Sequence, residues 1–138
     1  MSHTRDDVVA FIQQVHFGQL ATVNADGAPR VRPVGIKDVY GDDIYFLTLA
    51  MTRKVTEMAG EPRVEVNWLD VAKMTQVRIE GEVEQVLDAA LVERFLVDNA
   101  GVAGLLPPGT DQYIQIYRLK PSKVWMAQGM VPYTDVEW

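Results

Sequence analysis

Two groups of basic side chains in this acidic sequence are spaced in a way that suits an anion. Arg30 and Arg32 alternate along one face of a predicted strand, and the run Thr52-Arg53-Lys54 falls where a predicted strand gives way to a predicted helix. The first turn of a helix offers free backbone N–H groups, and a threonine hydroxyl adds a donor. Such a turn, joined by arginine and lysine side chains, suits a dianionic phosphate. The alternative is that these cations only balance nearby surface acids.

The sequence lacks most of the residues and motifs from which other common active sites are built. There is no cysteine, which excludes disulfides, thiolate zinc sites, iron–sulfur clusters and cysteine nucleophiles. Two serines and two histidines leave little for a Ser–His triad or a histidine-rich metal site, and no metal site is predicted. His16 is interpreted as a structural residue at a helix end. The glycine-rich loops G-x-G-x-x-G and G-x-x-x-x-G-K-[ST], which bind nucleotide phosphates, do not occur.

Length and composition are those of one ordinary folded domain. With 138 residues, against a usual size of about 150, residues 1–138 are predicted to form a single domain. The sequence is 48% hydrophobic and 23% charged, which argues against disorder, and its net charge of −6 argues against a nucleic acid as the main partner. It has no apolar run of membrane-spanning length and no signal-peptide pattern at its start, so no membrane contact and a cytoplasmic location are expected.

Hydrophobic periodicity predicts a mostly β protein with inserted helices. The predicted helices begin at the caps Thr4, Thr52 and Asp88 and end near Val15, Ala59 and Asn99. The predicted strands cover residues 19–24, 29–39, 44–48, 63–68, 75–86, 113–119 and 124–126. A loop is predicted at 101–109 and a corner at Lys120-Pro121. Because hairpins join most of these six or seven strands, the pattern favours a closed antiparallel barrel over a doubly wound sheet.

The three tryptophans receive separate interpretations. Trp68 and Trp125 are predicted to be core or dimer-interface residues. Trp138 ends the sequence, and it either frays or folds over a cleft.

Four blocks of the sequence, in order and with similar spacing, resemble the FMN-binding split-barrel family of pyridoxamine 5′-phosphate oxidase. The blocks are Arg32-Pro33-Val34-Gly35-Ile36-Lys37, Leu47-Thr48, Thr52-Arg53-Lys54 and Gln76-Val77-Arg78-Ile79-Glu80-Gly81. The resemblance covers residues 18–86 well and the remainder loosely, and it is greatest to short relatives named general stress proteins. It implies a six-stranded antiparallel Greek-key split β-barrel with short flanking helices. It also implies a homodimer with one FMN in each of two clefts at the interface.

The resemblance further implies which side chains contact the cofactor. Arg32, Arg53 and Lys54 would hold the FMN phosphate, with the Thr52 hydroxyl as a further donor. Gln76 would hydrogen-bond the polar edge of the flavin ring, where donors and cations raise the reduction potential. The alternative for Gln76 is a polar residue on the wet face of a strand. The implied cofactor contacts are, in full, Arg32, Pro33, Val34, Lys37, Leu47, Thr48, Thr52, Arg53, Lys54 and Gln76.

Lys37 falls where the oxidase has a lysine near the ring and the substrate. Strict alternation along one strand would put Lys37 and Arg32 on opposite faces. Both can reach one cofactor only if the strand bulges or twists between them, and Gly35 is the residue that would allow it.

Departures from the oxidase pattern argue against pyridoxal phosphate synthesis. The oxidase binds its substrate phosphate with a Tyr, an Arg and a Ser, and these correspond to Arg94, Asp98 and Val102. Gln128-Gly129 is retained near the C-terminus, but the tryptophan that precedes this pair in the oxidase is Ala127 here. The Arg-x-His that follows in the oxidase is absent from residues 130–138.

The leading hypothesis is therefore a homodimeric FMN-binding flavoprotein that acts as a small flavin-dependent oxidoreductase. NAD(P)H or a small molecule would be its electron donor. One alternative is a flavin-binding protein without turnover, serving as an electron carrier, store or stress sensor, because no acid–base or substrate pocket is recognisable. Another is a barrel that holds a deazaflavin or haem. Haem ligation would be hard to arrange, since there is no cysteine and His16 is the only histidine after residue 3.

Overall fold

The computed structural model describes residues 2–35 and 37–138, apart from the side chains of residues 102 and 103. The helices are α1 (Arg5–Gln14), α2 (Arg53–Gly60), α3 (Ala89–Asp98) and α4 (Ala100–Ala103), with a 3₁₀ turn at Asp111–Tyr113. The strands are β1 (Gly18–Val23), β2 (Pro29–Val34), β3 (Lys37–Tyr40), β4 (Asp43–Leu49), β5 (Arg63–Asp70), β6 (Thr75–Gln85), β7 (Ile114–Gln128) and β8 (Thr134–Asp135). Each predicted helix is therefore present.

Side-chain caps explain where α1 and α3 begin. The Asp7 N–H donates to Thr4 Oγ1 at 3.2 Å, and the Thr4 N–H donates back to the Asp7 carboxylate at 2.8 Å. Asp88 accepts the N–H groups of Ala90 and Leu91 at 2.9 and 3.1 Å. These bonds satisfy donors that the first turn of a helix leaves unpaired. The predicted caps Thr4 and Asp88 are confirmed.

All eight strands belong to one antiparallel sheet. Their order is β2-β1-β5-β6-β7-β4-β3, with β8 added to β7. The end strands β2 and β3 follow each other in the chain, and the three Cα steps from Val34 to Lys37 span about 11 Å at most, so the sheet must curl to bring its edges together. The mostly β antiparallel fold with short helices is confirmed. Two details were wrong: within the described residues the strand count is eight rather than six, and no ladder closes the sheet between β2 and β3.

The interruption at Gly35 explains part of this difference. Alternation predicts one strand over residues 29–39, but β2 pairs with β1 whereas β3 pairs with β4. A Cβ on Gly35 would lie 2.7 Å from the Phe17 ring, so only glycine allows that ring to pack over the backbone. Gly35 therefore separates two strands where one strand was predicted. Ile36, within the same predicted strand, lies outside the described residues.

The long strand β7 corrects the predicted corner at Lys120-Pro121. β7 continues through Pro121, which lies opposite Gly81, and the β6–β7 register shifts between Glu80 and Gly81. A Cβ on Gly81 would lie 2.1 Å from the Lys120 carbonyl oxygen, so the two strands approach too closely for any other residue. Pro121 has no N–H to donate, and a bulge is one of the few places in a ladder that tolerates this loss.

Apolar side chains fill two layers. The barrel interior contains Trp68, as predicted. Trp125 is only half-buried in the single chain, so it is not a core residue, and its predicted place at a dimer interface stays a prediction. The second layer lies under α3, where Phe95 packs against the outward-facing side chains of β4 and β7.

The helix α4 occupies the start of the segment predicted as a loop at 101–109, because the Gly104 N–H closes a turn onto the Ala100 carbonyl at 3.1 Å. Within the described residues, no helix has the length and apolar character to cross a membrane.

Candidate functional site

The side chain of Arg32 lies on the inner face of the sheet, at the edge of the barrel core. Arg32 on β2 is paired in register with Leu20 on β1. Its Nη1 donates to the buried Thr22 Oγ1 at 2.6 Å and to the Leu20 carbonyl at 3.3 Å, and its Nη2 forms an ion pair with Glu57. Arg32 is thus held in one orientation by two groups of β1 and one of α2.

Glu57 is a member of this site that the sequence analysis missed. Its side chain is 9% exposed, and its carboxylate also accepts the Thr22 hydroxyl at 2.9 Å. Glu57 follows Lys54 by one turn of α2, so both side chains lie on one side of that helix. This i, i+3 spacing was the available signal, because it places a carboxylate beside the predicted cations. A buried carboxylate next to Arg32 partly neutralises it and fixes its position.

Lys54 and Arg32 lie close together, as predicted. The Lys54 ammonium is half-buried, and its pKa lies below its ordinary value of 10.5, first because burial disfavours the charged form and second because Arg32 repels it. Two like charges held together and partly out of water favour the arrival of an anion. The arrangement therefore keeps a region of positive potential at the start of α2.

Thr52 stands at the N-cap of α2, but its side chain does not cap the helix. Thr52 Oγ1 donates to the Leu49 carbonyl at 2.8 Å and lies 3.2 Å from Thr48 Oγ1. Within the described part of the chain no cap bond from Thr52 was found, so the predicted side-chain cap was wrong. Of the first-turn N–H groups, that of Val55 donates to the Thr52 carbonyl at 3.2 Å. Arg53 on the same turn is exposed.

We call the following set the cationic cluster: Arg32, Lys54 and Glu57, which interact with one another, and Thr52 and Arg53, which precede Lys54 in the chain at the start of α2. It contains three cations and one carboxylate, together with the hydroxyl of Thr52. Such a set suits a small dianion better than a metal ion. Among the residues that the structure describes, no three His, Asp or Glu side chains gather as a metal would need.

Four other predicted contact residues take different positions. Thr48 is buried beside Thr52, Val34 is buried in the barrel core, and Leu47 is buried under α3. Pro33 is exposed on the outer face of β2. Only Thr48 therefore adjoins the cationic cluster through its side chain.

Lys37 is held elsewhere. Its ammonium donates to the His16 carbonyl at 3.3 Å, and burial lowers its pKa from 10.5. Gly35 and Ile36 separate its strand from that of Arg32. The described contacts do not bring Lys37 and Arg32 together, so their convergence on one ligand stays a prediction.

Gln76 lies on the face of the sheet opposite to Arg32. Its neighbour Val77 is buried in the barrel core, so alternation along β6 directs Gln76 outward. The Gln76 carbonyl oxygen accepts from Asn67 Nδ2 at 3.3 Å and from the Tyr133 hydroxyl. One chain therefore presents the cationic cluster and Gln76 on different faces.

The polar residues around Gln76, which we call the amide cluster, are Asn67, Gln76, Arg78 and Tyr133. The Arg78 guanidinium pairs with Glu65 and lies 5.1 Å from the centre of the Tyr133 ring. Asn67 and Tyr133 were not among the predicted site residues. The alternation of β5 does place Asn67 on the polar face, but no local pattern marks Tyr133.

Arg94 and Asp98, which occupy positions of the oxidase's substrate-phosphate residues, contact each other and Tyr40. Arg94 lies 3.8 Å from Asp98 and 4.0 Å from the centre of the Tyr40 ring. The Tyr40 hydroxyl donates to Asp98 at 2.7 Å, and burial followed by this bond raises the Tyr40 pKa. Arg94 and Asp98 thus fasten α3 to β3. The side chain of Val102 lies outside the described part of the structure.

The C-terminal tail folds back over the barrel. Trp138 donates from Nε1 to the Asp42 carbonyl at 2.7 Å, and the Arg5 guanidinium lies 4.7 Å from the centre of its ring. β8 pairs with β7, and the segment before it carries Tyr133. A groove of ≈ 570 Å³ runs beside Tyr133 and is lined by Met126, Pro132 and Thr134 among others.

The sequence matches the profile of the family described as Pyridoxamine 5'-phosphate oxidase over residues 4–127. A pyridoxine/pyridoxamine 5'-phosphate oxidase of Cupriavidus taiwanensis is 36% identical over 83 residues, which are 59% of this chain and 38% of that protein. The corresponding oxidase of Methylibium petroleiphilum is 42% identical over 71 residues, 50% of this chain and 32% of that protein. The matched segments thus span less than half of these relatives.

Solved structures share the fold over most of the chain. A NimC/NimA family protein of Clostridium acetobutylicum has a TM-score of 0.79 at 19% identity, covering 94% of this chain and 89% of that one. General Stress Protein 26 of Bacillus anthracis has a TM-score of 0.74 at 19% identity, covering 94% and 96%. At these identities the likeness shows a common fold.

The names of two further structures refer to different ligands. An F420 reductase has a TM-score of 0.67 at 22% identity, with coverage of 83% and 93%. A heme binding protein of Mycobacterium smegmatis has a TM-score of 0.74 at 18% identity, with coverage of 92% and 54%. The fold therefore does not select the ligand, and the side chains of the site must.

Proposed function

This chain belongs to the pyridoxamine 5′-phosphate oxidase family, and we propose that it is an FMN-binding flavoprotein acting as a small flavin-dependent oxidoreductase. The observation that carries this proposal is the half-buried Lys54 beside Arg32, with its pKa lowered by burial and by the neighbouring charge. A phosphate supplies the negative charge that this pair favours. F420 and haem are the competing ligands that the fold admits.

The residues of the cationic cluster fit the phosphate group of FMN. Arg32 and Lys54 supply charged donors, Arg53 extends from the same turn, and Thr52 adds a hydroxyl. Because charged hydrogen bonds contribute roughly 1.5 to 3 kcal/mol, most of the affinity is expected at this end. Glu57 keeps Arg32 aimed while leaving the cluster positive.

The opposite orientation of Arg32 and Gln76 supports a homodimer with the cofactor at its interface. One FMN that contacts Arg32 on the inner face and Gln76 on the outer face does so most simply with residues from two copies of the chain. Pro33 and Val31 on the outer face of β2 agree with such an interface, since Val31 is 63% exposed.

Bound FMN supplies the redox chemistry, and this chain binds it, orients it and tunes its potential. NAD(P)H or a small molecule is the proposed electron donor. Pyridoxal phosphate synthesis is not proposed, because Arg94 and Asp98 are engaged with each other and with Tyr40. A cytoplasmic location stays a prediction.

Ligand titration of the purified protein tests the proposal. FMN is expected to show a shifted absorption band on binding, and riboflavin, which lacks the phosphate, is expected to bind at least tenfold more weakly. Mass spectrometry of any co-purified ligand separates FMN from a deazaflavin or haem. A colourless protein that leaves the FMN spectrum unchanged would contradict FMN binding, and a monomer that binds FMN tightly would contradict the shared interface.

A second candidate is a flavin-binding carrier without turnover. The engagement of Arg94 with Asp98 favours it, since those positions offer no open substrate site. Steady oxidation of NADH or NADPH by the FMN-loaded protein with a defined acceptor would exclude this candidate.

A further inference from the structure

The amide of Gln76 is held in one orientation by a chain of hydrogen bonds that starts at the backbone. Asn67 Nδ2 donates to the Val77 carbonyl at 3.3 Å. A backbone carbonyl can only accept, so the atom of Asn67 that faces it must be the amide nitrogen. That nitrogen also lies 3.3 Å from the Gln76 carboxamide, whose facing atom must then be the oxygen.

This assignment fixes the direction of the next bond. The Gln76 oxygen can only accept, so the Tyr133 hydroxyl, which contacts the same oxygen, must donate to it. With its oxygen engaged by two donors, Gln76 has its NH₂ group left to offer. The part of the Gln76 side chain left to a ligand is therefore a hydrogen-bond donor and not an acceptor.

Tyr133 is itself held in place. The Arg78 guanidinium lies 5.1 Å from the centre of the Tyr133 ring and 5.2 Å from that of Trp125, and Arg78 is anchored by Glu65. A cation between two aromatic faces is a stable arrangement. Since Tyr133 comes from the tail, the orientation of Gln76 depends on the tail being folded back.

We infer that Tyr133 is a positioning residue that makes Gln76 a fixed hydrogen-bond donor toward the ring of the bound cofactor. The inference rests on the proposed function, because the ring is that of FMN. A fixed donor suits the carbonyl oxygens of the flavin edge and stabilises the negative charge of its reduced form. Tyr133 thereby raises the reduction potential of bound FMN through Gln76.

Tyr133→Phe tests this inference because it removes only the hydroxyl. The variant is expected to bind FMN roughly threefold to tenfold more weakly, the effect of one hydrogen bond, and to lower the reduction potential of bound FMN. Tyr113→Phe, at an exposed tyrosine on the 3₁₀ turn, is the matched control and is expected to leave both quantities unchanged. A Tyr133→Phe potential equal to the wild-type potential would overturn the inference.

A double variant tests whether Tyr133 acts through Gln76. In a Gln76→Leu background, Tyr133→Phe is expected to cause no additional shift of the potential. An equal shift in both backgrounds would show that Tyr133 acts on the ring without Gln76, and would overturn the inference.

The protein without cofactor provides a readout that does not depend on FMN. In ¹⁵N–¹H spectra, the side-chain amide signals of Gln76 are expected to move in Tyr133→Phe and to stay in Tyr113→Phe. Unmoved signals would overturn the hydrogen bond itself. Failure of the wild-type protein to bind FMN would instead overturn the proposed function, so the two failures are distinguishable.

Discussion

The cationic cluster and the amide cluster hold their side chains in opposite ways. In the cationic cluster, Arg32 and Lys54 carry full charges, lie half-buried, and are balanced within the cluster by Glu57. In the amide cluster, Gln76 is neutral and is oriented by Asn67 and by Tyr133 from the tail. Since one carboxylate offsets only one of the three cations, the cationic cluster keeps a net positive charge, whereas the amide cluster is defined by the orientation of a neutral group.

The difference teaches what each cluster can contribute to binding. Two like charges that are partly removed from water raise the free energy of the empty site, and a bound anion offsets that cost. The cationic cluster therefore contributes affinity for an anion, and this contribution depends on pH because Lys54 can lose its proton. An oriented neutral amide gives little energy but discriminates donors from acceptors. We therefore expect variants of the cationic cluster to change stability and affinity, and variants of the amide cluster to change mainly the properties of the bound ring.

The largest expected effect is that of Arg32→Met on folding. The substitution leaves Glu57 buried without its ion-pair partner, which costs about 3 kcal/mol of unfolding free energy. Urea unfolding measures it, and Arg30→Met on the same strand, where the side chain is exposed, is the control. Glu57→Gln added to Arg32→Met is expected to recover part of the loss. Equal unfolding free energies for Arg32→Met and Arg30→Met would contradict a stabilising ion pair between Arg32 and Glu57, and with it the contrast between the two clusters.

The next effect concerns Lys54→Met and the FMN phosphate. Loss of one charged donor is expected to weaken FMN binding about tenfold to a hundredfold and to leave riboflavin binding unchanged. Parallel titrations with the two flavins measure this, with Lys73→Met at an exposed turn as the control. An equal loss of affinity for FMN and riboflavin would show that Lys54 contacts the flavin ring and not the phosphate, and would contradict the contrast between the clusters.

Thr52→Val is expected to have a smaller effect. The Thr52 hydroxyl already donates its single proton to the Leu49 carbonyl at 2.8 Å. A bond to phosphate would replace that bond, so the net gain in binding free energy is small. FMN binding is expected to weaken about threefold to fivefold in the same titration, from a neutral hydrogen bond. Thr56→Val, exposed on the same helix, should match the wild type, and a hundredfold loss in Thr52→Val would make the hydroxyl a main phosphate ligand.

The smallest expected effect is a pH dependence of the cofactor-free protein. Because the pKa of Lys54 is lowered from 10.5 in the folded state, the unfolded state binds more protons between that lowered pKa and 10.5. Lys54 therefore destabilises the fold below this window, and the penalty disappears as the pH rises through it. The stability advantage of Lys54→Met over the wild type should shrink across the window. An advantage independent of pH would contradict the lowered pKa.

Local patterns predicted most of the elements and much of the cationic cluster. The caps Thr4 and Asp88 act within one turn, and the alternation of β6 assigns Gln76 and Arg78 to the polar face. The errors came from contacts distant in sequence. Phe17 against Gly35 divides the strand predicted at 29–39, and Gly81 opposite Pro121 allows β7 to continue where a corner was predicted. Neither residue of such a pair, taken alone, indicates that the two will meet in the folded chain.

The sequence by itself determined which side chains share a face and which begin a helix, because these follow from backbone periodicity and from bonds a few residues long. It thereby fixed Arg53 and Lys54 at the start of α2 and Gln76 outside the barrel. Only the tertiary structure decided that Glu57 pairs with Arg32 and that the tail brings Tyr133 to Gln76. Hydrogen-bond partners at such separations depend on how the strands curl and pack, and no local preference encodes that geometry.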